Sequence, residues 1–204
     1  MSNWPGKYVI GLTGNIATGK SVILAMLEHL GACCIDADAL SHGVIAKDAP
    51  GYQKVIDTFG KGVVDGMGEI DRAKLGRLVF SDPEALRRLE GIIHPLVDQA
   101  VDSLIRHASQ RVVVIEAIKL LESNLVGACD TIWSVVAPES IQKARLMQKR
   151  NMSEQDALQR IRAQSPQELK MAAARVIIQN TGSLENTRRQ VLAAWKTIPP
   201  SPGS

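Results

Sequence analysis

The residues with the most chemistry in them are Gly14-Asn15-Ile16-Ala17-Thr18-Gly19-Lys20-Ser21. They match G-x-x-x-x-G-K-[ST], the loop that cradles phosphates. A glycine-rich turn lets backbone N–H groups converge on a polyphosphate, and the N-terminus of the following helix adds partial positive charge. In this pattern the lysine, here Lys20, reaches the β- and γ-phosphates, and the hydroxyl of Ser21 is a magnesium ligand. Val22 continues the loop into that helix. The motif has meaning only between a strand and a helix. Tyr8-Val9-Ile10-Gly11-Leu12-Thr13 is an apolar run that reads as the strand. Leu24, Leu27 and Leu30 keep one apolar face of a helix expected from about Lys20 to Gly31. The expectation is a site for a nucleoside triphosphate with Mg²⁺; the motif does not choose among the triphosphates.

Two carboxylates form a second candidate. Asp36 and Asp38 follow the short apolar run Ala32-Cys33-Cys34-Ile35, which reads as a second buried strand. Phosphoryl transfer needs the acceptor oxygen held in line, its proton accepted and its charge offset. A carboxylate at a strand end can accept that proton or hold magnesium through water. Side chains two apart on a strand share a face. The structural alternative is a helix N-cap and a turn, with Asp38 capping the helix that follows.

Basic residues make a third group: Lys143, Arg145, Lys149, Arg150, Arg160 and Arg162. Arg145 and Lys149 lie four apart, on one helical face. Arginine aimed at a transferring phosphoryl group stabilises its charge, although an ordinary solvated face accounts for most of the six. His42 and His94 have no metal-ligand spacing. They read either as a half-buried histidine and one preceding a proline, or as hydrogen-bond partners of an acceptor. His29 and His107 read as surface positions. Asp65-Gly66-Met67-Gly68 matches D-x-x-G of GTPases, but it sits in a turn-rich patch and no N-K-x-D guanine motif accompanies it.

These groups need elements to hold them. Helices are expected over 39–47, 51–59, from Asp71 to Leu78, from Pro83, and over 95–108. Further helices are expected over 138–149, 153–163, from Ser165, and from Ser183 to about Thr197. Asp71, Ser153 with Asp156, Ser165 with Glu168, and Ser183 read as N-terminal caps. Arg111-Val112-Val113-Val114-Ile115-Glu116 is the strongest strand, and 131–136 and 175–178 are two more. Continuous apolar strands separated by helices imply a parallel sheet covered on both faces. The fold class is therefore α/β: a P-loop NTPase fold, three-layer with a central parallel sheet, plus a helical substrate-binding region and a helical lid. Ligands of such sheets bind at the carboxyl ends of the strands.

With 204 residues, 45% of them apolar, the chain fits one α/β domain with insertions. A net charge of +3 is too small to argue for nucleic acid or a membrane surface. An aromatic content of 3% argues against a stacking platform for single strands. Cys33, Cys34 and Cys129 form no metal-ligand pattern and read as reduced, buried thiols of a cytoplasmic protein. No apolar run approaches the roughly 18 residues needed to span a bilayer. Residues 1–7 do not read as a signal peptide, and 199–204 read as a disordered tail.

Taken together the chain resembles the dephospho-CoA kinases. Ile10 to Ser21, then Ile35-Asp36-Ala37-Asp38 with His42 four beyond, is similar to that family's opening. His94-Pro95 resembles its H-P pair, and Glu116 to Glu122 its strand with a P-L-L-x-E segment, lacking the proline. Arg145-Leu146-Met147 with Ser153, and Arg160 to Gln164, resemble its lid. Val176 to Gly182 resembles its closing V-I-x-N-x-G. The resemblance implies transfer of the ATP γ-phosphate to the ribose 3′-hydroxyl of dephospho-CoA, the last step of coenzyme A biosynthesis. It implies Asp38 as the base, with Lys20 and Arg145 as further catalytic residues. Gly14 to Val22, Asn180 and Gly182 would meet the nucleotide, the last two near the adenine. Asp36, His42, His94, Leu120 and Glu122 would meet the acceptor. Arg145, Lys149 and Arg150 would act from the lid, where Lys149 replaces a usual arginine and lacks its fork. The implied layout is one domain over 1–204: a nucleotide core of about 7–38, 111–137 and 174–198, a substrate-binding region over 39–110, and a lid over 138–164. The expected partner is dephospho-CoA as a small-molecule substrate, with no nucleic acid and no membrane, on a monomer or weak homo-oligomer. Another small-molecule kinase, acting on a nucleoside monophosphate or a sugar acid, is the alternative, and a nucleotide-binding regulatory protein a more distant one.

Overall fold

The computed structural model describes residues 4–200, so the expectations for the two termini lie partly outside the described residues. Five strands form one sheet: β1 (Tyr8–Thr13), β2 (Cys33–Asp36), β3 (Val112–Glu116), β4 (Thr131–Val136) and β5 (Val176–Gln179). Their spatial order is β2-β3-β1-β4-β5, and β1 runs parallel to both β3 and β4, as β4 does to β5. The described helices are α1 (Lys20–His29), α2 (Ala37–Gly43), α3 (Tyr52–Phe59), α4 (Arg72–Ser81), α5 (Pro83–His107), α6 (Glu139–Arg150), α7 (Glu154–Arg162), α8 (Gln167–Ala173) and α9 (Leu184–Trp195). Two compact units result, one reaching Ile35 and resuming at Ile105, the other spanning Asp36–Leu104.

The first unit is built by its apolar strands. Every residue of β3 is buried. On one sheet face Ile10, Leu12, Val112, Val114 and Trp133 pack with Ile23 and Leu27 of α1 and Val191 and Ala194 of α9. Each such aliphatic burial contributes about 1.5–3 kcal/mol. Ile23 and Leu27 carry the buried face of α1, with Leu24 and Leu30 only half-buried beside them. On the other face β1 presents Gly11. A Cβ there would stand 2.6 Å from Leu120 Cδ2 and 2.8 Å from Cys129 Sγ, so two 3-10 turns, Leu120–Glu122 and Asn124–Ala128, close directly on the strand.

The second unit has its own core, which includes Ile45, Val55, Val63, Ile70, Leu75 and Val79. Asp65 accepts from the N–H groups of Met67 at 2.8 Å and Glu69 at 3.0 Å, so its D-x-x-G string is a local turn.

Three expectations need correction. The first helix of this unit spans 37–43 rather than 39–47, because Asp36 rather than Asp38 caps it, accepting from Ala39 N at 2.8 Å. The segments expected from Pro83 and over 95–108 are one helix that passes through Pro95. An internal proline costs about 3 kcal/mol; here a buried stripe of Ala85, Leu89, Val97 and Val101 offsets it. Ser165 does not cap α8. Its hydroxyl donates to Glu122 Oε1 at 2.5 Å, and Pro166 precedes the helix instead. The caps at Asp71, Ser153 and Ser183 are as expected, although α4 runs on to Ser81.

The three cysteines are free and half-buried. Burial pushes the Cys34 thiol up to about 12, with Glu28 and Cys33 adding to the effect. Burial, then Asp130, pushes Cys129 up to about 12. Thiolate is the reactive form, so at pH 8 in the folded protein iodoacetamide is expected to leave both unlabelled until denaturant is added. Native labelling of either at the rate of a free thiol contradicts this. Among the described residues no helix is long and apolar enough to cross a membrane.

Candidate active site

The loop between β1 and α1 has little room for side chains at its two glycines. Gly14 has φ +151°, and a Cβ there would stand 2.4 Å from the carbonyl oxygen of Val135 in β4. Gly19 has φ +99°, and its Cβ would stand 2.0 Å from Asn180 Nδ2. Ala17 is a non-glycine residue at φ 59°. Such backbone costs on the order of 1–3 kcal/mol and persists where surroundings enforce it. Thr18 is fully buried, its hydroxyl donating to Asn15 O at 2.9 Å. Ser21 lies exposed in the first turn of α1. Gly19→Ala is expected to displace Asn180 and lower kcat/KM for ATP about a hundredfold, the scale of a 1 Å misplacement. An unchanged ATP titration would contradict that geometry.

Three later segments hold the loop. Arg145 on α6 donates to Ala17 O at 3.0 Å and Thr18 O at 2.9 Å through Nη1, and to Asn180 O at 2.8 Å through Nη2. The arginine expected at phosphates here grips loop carbonyls. Asn180 donates to Thr18 O at 2.8 Å and is itself oriented by the Thr187 hydroxyl at 3.1 Å. Ile16 buries its side chain among Leu146, Ala157 and Ile161 of α6 and α7. Its N–H donates to Gln164 Oε1 at 2.9 Å. Asn15 donates to Ser165 O at 3.3 Å and accepts from the buried Lys170 ammonium at 2.6 Å. Lys149 and Arg150 are exposed at the end of α6, as are Arg160 and Arg162 on α7, and Gly182 is exposed before α9. Lys143 pairs with Glu154, holding that carboxyl below the usual range.

Lys20 is buried with an acid. Its ammonium stands 3.3 Å from Glu116 Oε1 and 3.1 Å from Gly14 O, with the two side chains 10% and 9% exposed. Leu12 and Glu116 are register partners in β1 and β3, so a carboxylate ending β3 necessarily faces the loop. Glu116, Gln164 and Lys170 carry no role in the sequence-based reading. An acid closing an otherwise apolar strand signals Glu116; nothing local signals Lys170. Leu120, expected to meet the acceptor, is 0% exposed under Gly11, so it belongs to the core. Glu122 is exposed and bonded to Ser165.

In the second unit Asp38 and His42 lie four apart on α2, one turn along the same face. Asp38 is half-buried and, with Asp36 as the cap, its carboxylate is not the one spent on closing the helix. His42 lines a polar cavity of about 530 Å³ with Asp65, Glu69, Asp71 and Arg72. It is exposed rather than half-buried, and His94 is exposed on α5.

The family model for dephospho-CoA kinase matches residues 8–186. The chain belongs to the dephospho-CoA kinase family. A dephospho-CoA kinase of Carboxydothermus hydrogenoformans is 43% identical over 92% of this chain and 94% of its own length. One from Aquifex aeolicus is 40% identical over 95% and 98%. Among solved structures, TT1252 from Thermus thermophilus superposes with a TM-score of 0.84 at 34% identity, covering 95% of this chain and 99% of that one. A Sinorhizobium meliloti gluconokinase, at 16% identity, TM-score 0.52 and coverage of 94% and 93%, shares the fold alone. Membership makes the chain a P-loop kinase that uses ATP.

Proposed function

We propose that this chain transfers the γ-phosphate of ATP to the ribose 3′-hydroxyl of dephospho-CoA, yielding CoA and ADP, the last step of coenzyme A biosynthesis. The observation that carries the reading is an intact phosphate-binding loop, with Lys20 buried at its centre, in a chain of this family. The bond between the γ-phosphorus and the β–γ bridging oxygen breaks, and one to the ribose 3′-oxygen forms. Asp38 accepts the hydroxyl proton. Lys20 leaves Glu116 and Gly14 O for the phosphates, and the loop N–H groups through Val22 orient them. The donor set fits a magnesium triphosphate: converging amides, one ammonium and the exposed Ser21 hydroxyl. Magnesium, held there by Ser21 and the phosphates, would offset negative charge.

Arg145 fixes the loop against Asn180, and Asn180 with Gly182 borders the adenine. Lys149 and Arg150 serve from a lid over 138–164. Asp36, His42 and His94 contribute acceptor contacts from the second unit, in and beside a substrate-binding region of about 39–110. The reading places the chain in the cytoplasm as a monomer or weak homo-oligomer, in keeping with its free thiols. The test is ADP release from MgATP with dephospho-CoA, beside AMP, CMP, shikimate and gluconate. Turnover is expected with dephospho-CoA alone; turnover with another acceptor instead overturns the reading.

A further inference from the structure

Lys170 is the most deeply buried cation among the described residues, 2% exposed on α8. Burying an ammonium is expensive unless it is paired and hydrogen-bonded, so its place needs a reason. Its ammonium stands 2.6 Å from Asn15 Oδ1. Asn15 is the second residue of the phosphate-binding loop, and every polar group of it that is accounted for is used. The side-chain amide donates to Ser165 O at 3.3 Å. The backbone oxygen accepts from the Thr18 N–H at 3.3 Å and the Thr18 hydroxyl at 2.9 Å. That last pair closes the turn on which Ala17 sits at φ 59°. Asn15 is therefore the pivot of the loop's first half, and Lys170 fixes the pivot by a charge-assisted bond, the strong kind.

We propose that Lys170 is a positioning residue for ATP, acting through Asn15 on the conformation of the phosphate-binding loop. An asparagine amide has two ends that look alike in shape. The ammonium can only donate, so it forces Oδ1 toward α8 and Nδ2 toward Ser165. Asn15 is thereby held in one orientation, and the turn through Thr18 keeps its N–H groups pointing where phosphate will sit. The inference rests on the nucleotide role proposed above and deepens it.

The test measures MgATP affinity by calorimetry, without acceptor, together with KM and kcat in the coupled assay. Lys170→Met is expected to weaken ATP binding by about tenfold to a hundredfold, the scale of one lost hydrogen bond to a charged group. KM for dephospho-CoA should stay within about threefold, since no substrate contact is removed. Asn15→Ala approaches the same bond from the loop end and should weaken ATP binding to a similar degree. The Lys170–Asn15 bond is lost only once in the double variant, so its loss of ATP affinity should fall short of the sum of the two single losses. Lys170→Arg should fall short of full rescue, a planar fork replacing a point donor. If Lys170→Met does not fold, Asn15→Ala decides: unchanged ATP affinity overturns the proposal. So does additivity in the cycle, or a fall in thermal stability with ATP affinity intact. Because calorimetry needs no acceptor, a wild-type chain that binds ATP but ignores dephospho-CoA refutes the acceptor assignment and leaves this proposal standing on its own result.

Discussion

Lys20→Ala is expected to abolish turnover, lowering kcat by about a thousandfold or more. Removing one preorganised electrostatic donor already costs about 10²–10³-fold in other enzymes, and Lys20 carries a full charge. The variant will also be less stable. It removes one ammonium partner of the buried Glu116 carboxylate, and breaking a buried pair from one side is destabilising. Activity lost through unfolding and activity lost through chemistry can be separated. Adding Glu116→Gln to Lys20→Ala removes the buried carboxylate's charge, so the melting temperature should recover in part while turnover stays absent. Recovery of turnover with stability would contradict a phosphate role for Lys20. Near-wild-type activity of Lys20→Ala alone would contradict the whole assignment of the loop.

Asp38→Asn is expected to lower kcat by about 10²–10⁴-fold, the usual contribution of a positioned general base, with ATP affinity nearly unchanged. The side chain keeps its size and loses only the ability to accept a proton as an anion. The contrast is Asp36→Ala. Asp36 caps α2, so its loss should show first as about 1 kcal/mol of stability. If Asp38→Asn instead reduces stability and spares kcat, the carboxylate is structural and the proton acceptor lies elsewhere.

Much of this was legible from residues alone, for physical reasons. The loop is local: eight consecutive residues between a strand and a helix fix its geometry, and the sheet-facing run in β3 can be nothing but a buried strand. Caps at Asp71, Ser153 and Ser183 were legible because a cap is a contact between near neighbours. The misreadings share a cause as well. Asp36 and Asp38 are two residues apart, so which one caps depends on where the strand ends, and sequence boundaries blur by a residue or two. Pro95 looked like a helix start because its cost is local while the burial that offsets it comes from a stripe over 25 residues. Ser165 looked like a cap because its partner, Glu122, is distant in sequence. Lys170, Gln164 and the three carbonyls held by Arg145 are invisible for that same reason: each contact joins residues more than thirty apart in the chain. Leu120 was matched to a family segment, yet only the Gly11 contact shows that its side chain is core.

The central claim is a chemical one, transfer to the ribose 3′-oxygen, and it is tested most directly by following the phosphate. γ-Labelled ATP is incubated with dephospho-CoA and the purified chain, and the product is examined by mass and phosphorus NMR. The account predicts one new labelled phosphomonoester at the ribose 3′ position and a product of CoA mass, absent with Lys20→Ala. Label released only as inorganic phosphate, or found at any other position, would contradict it.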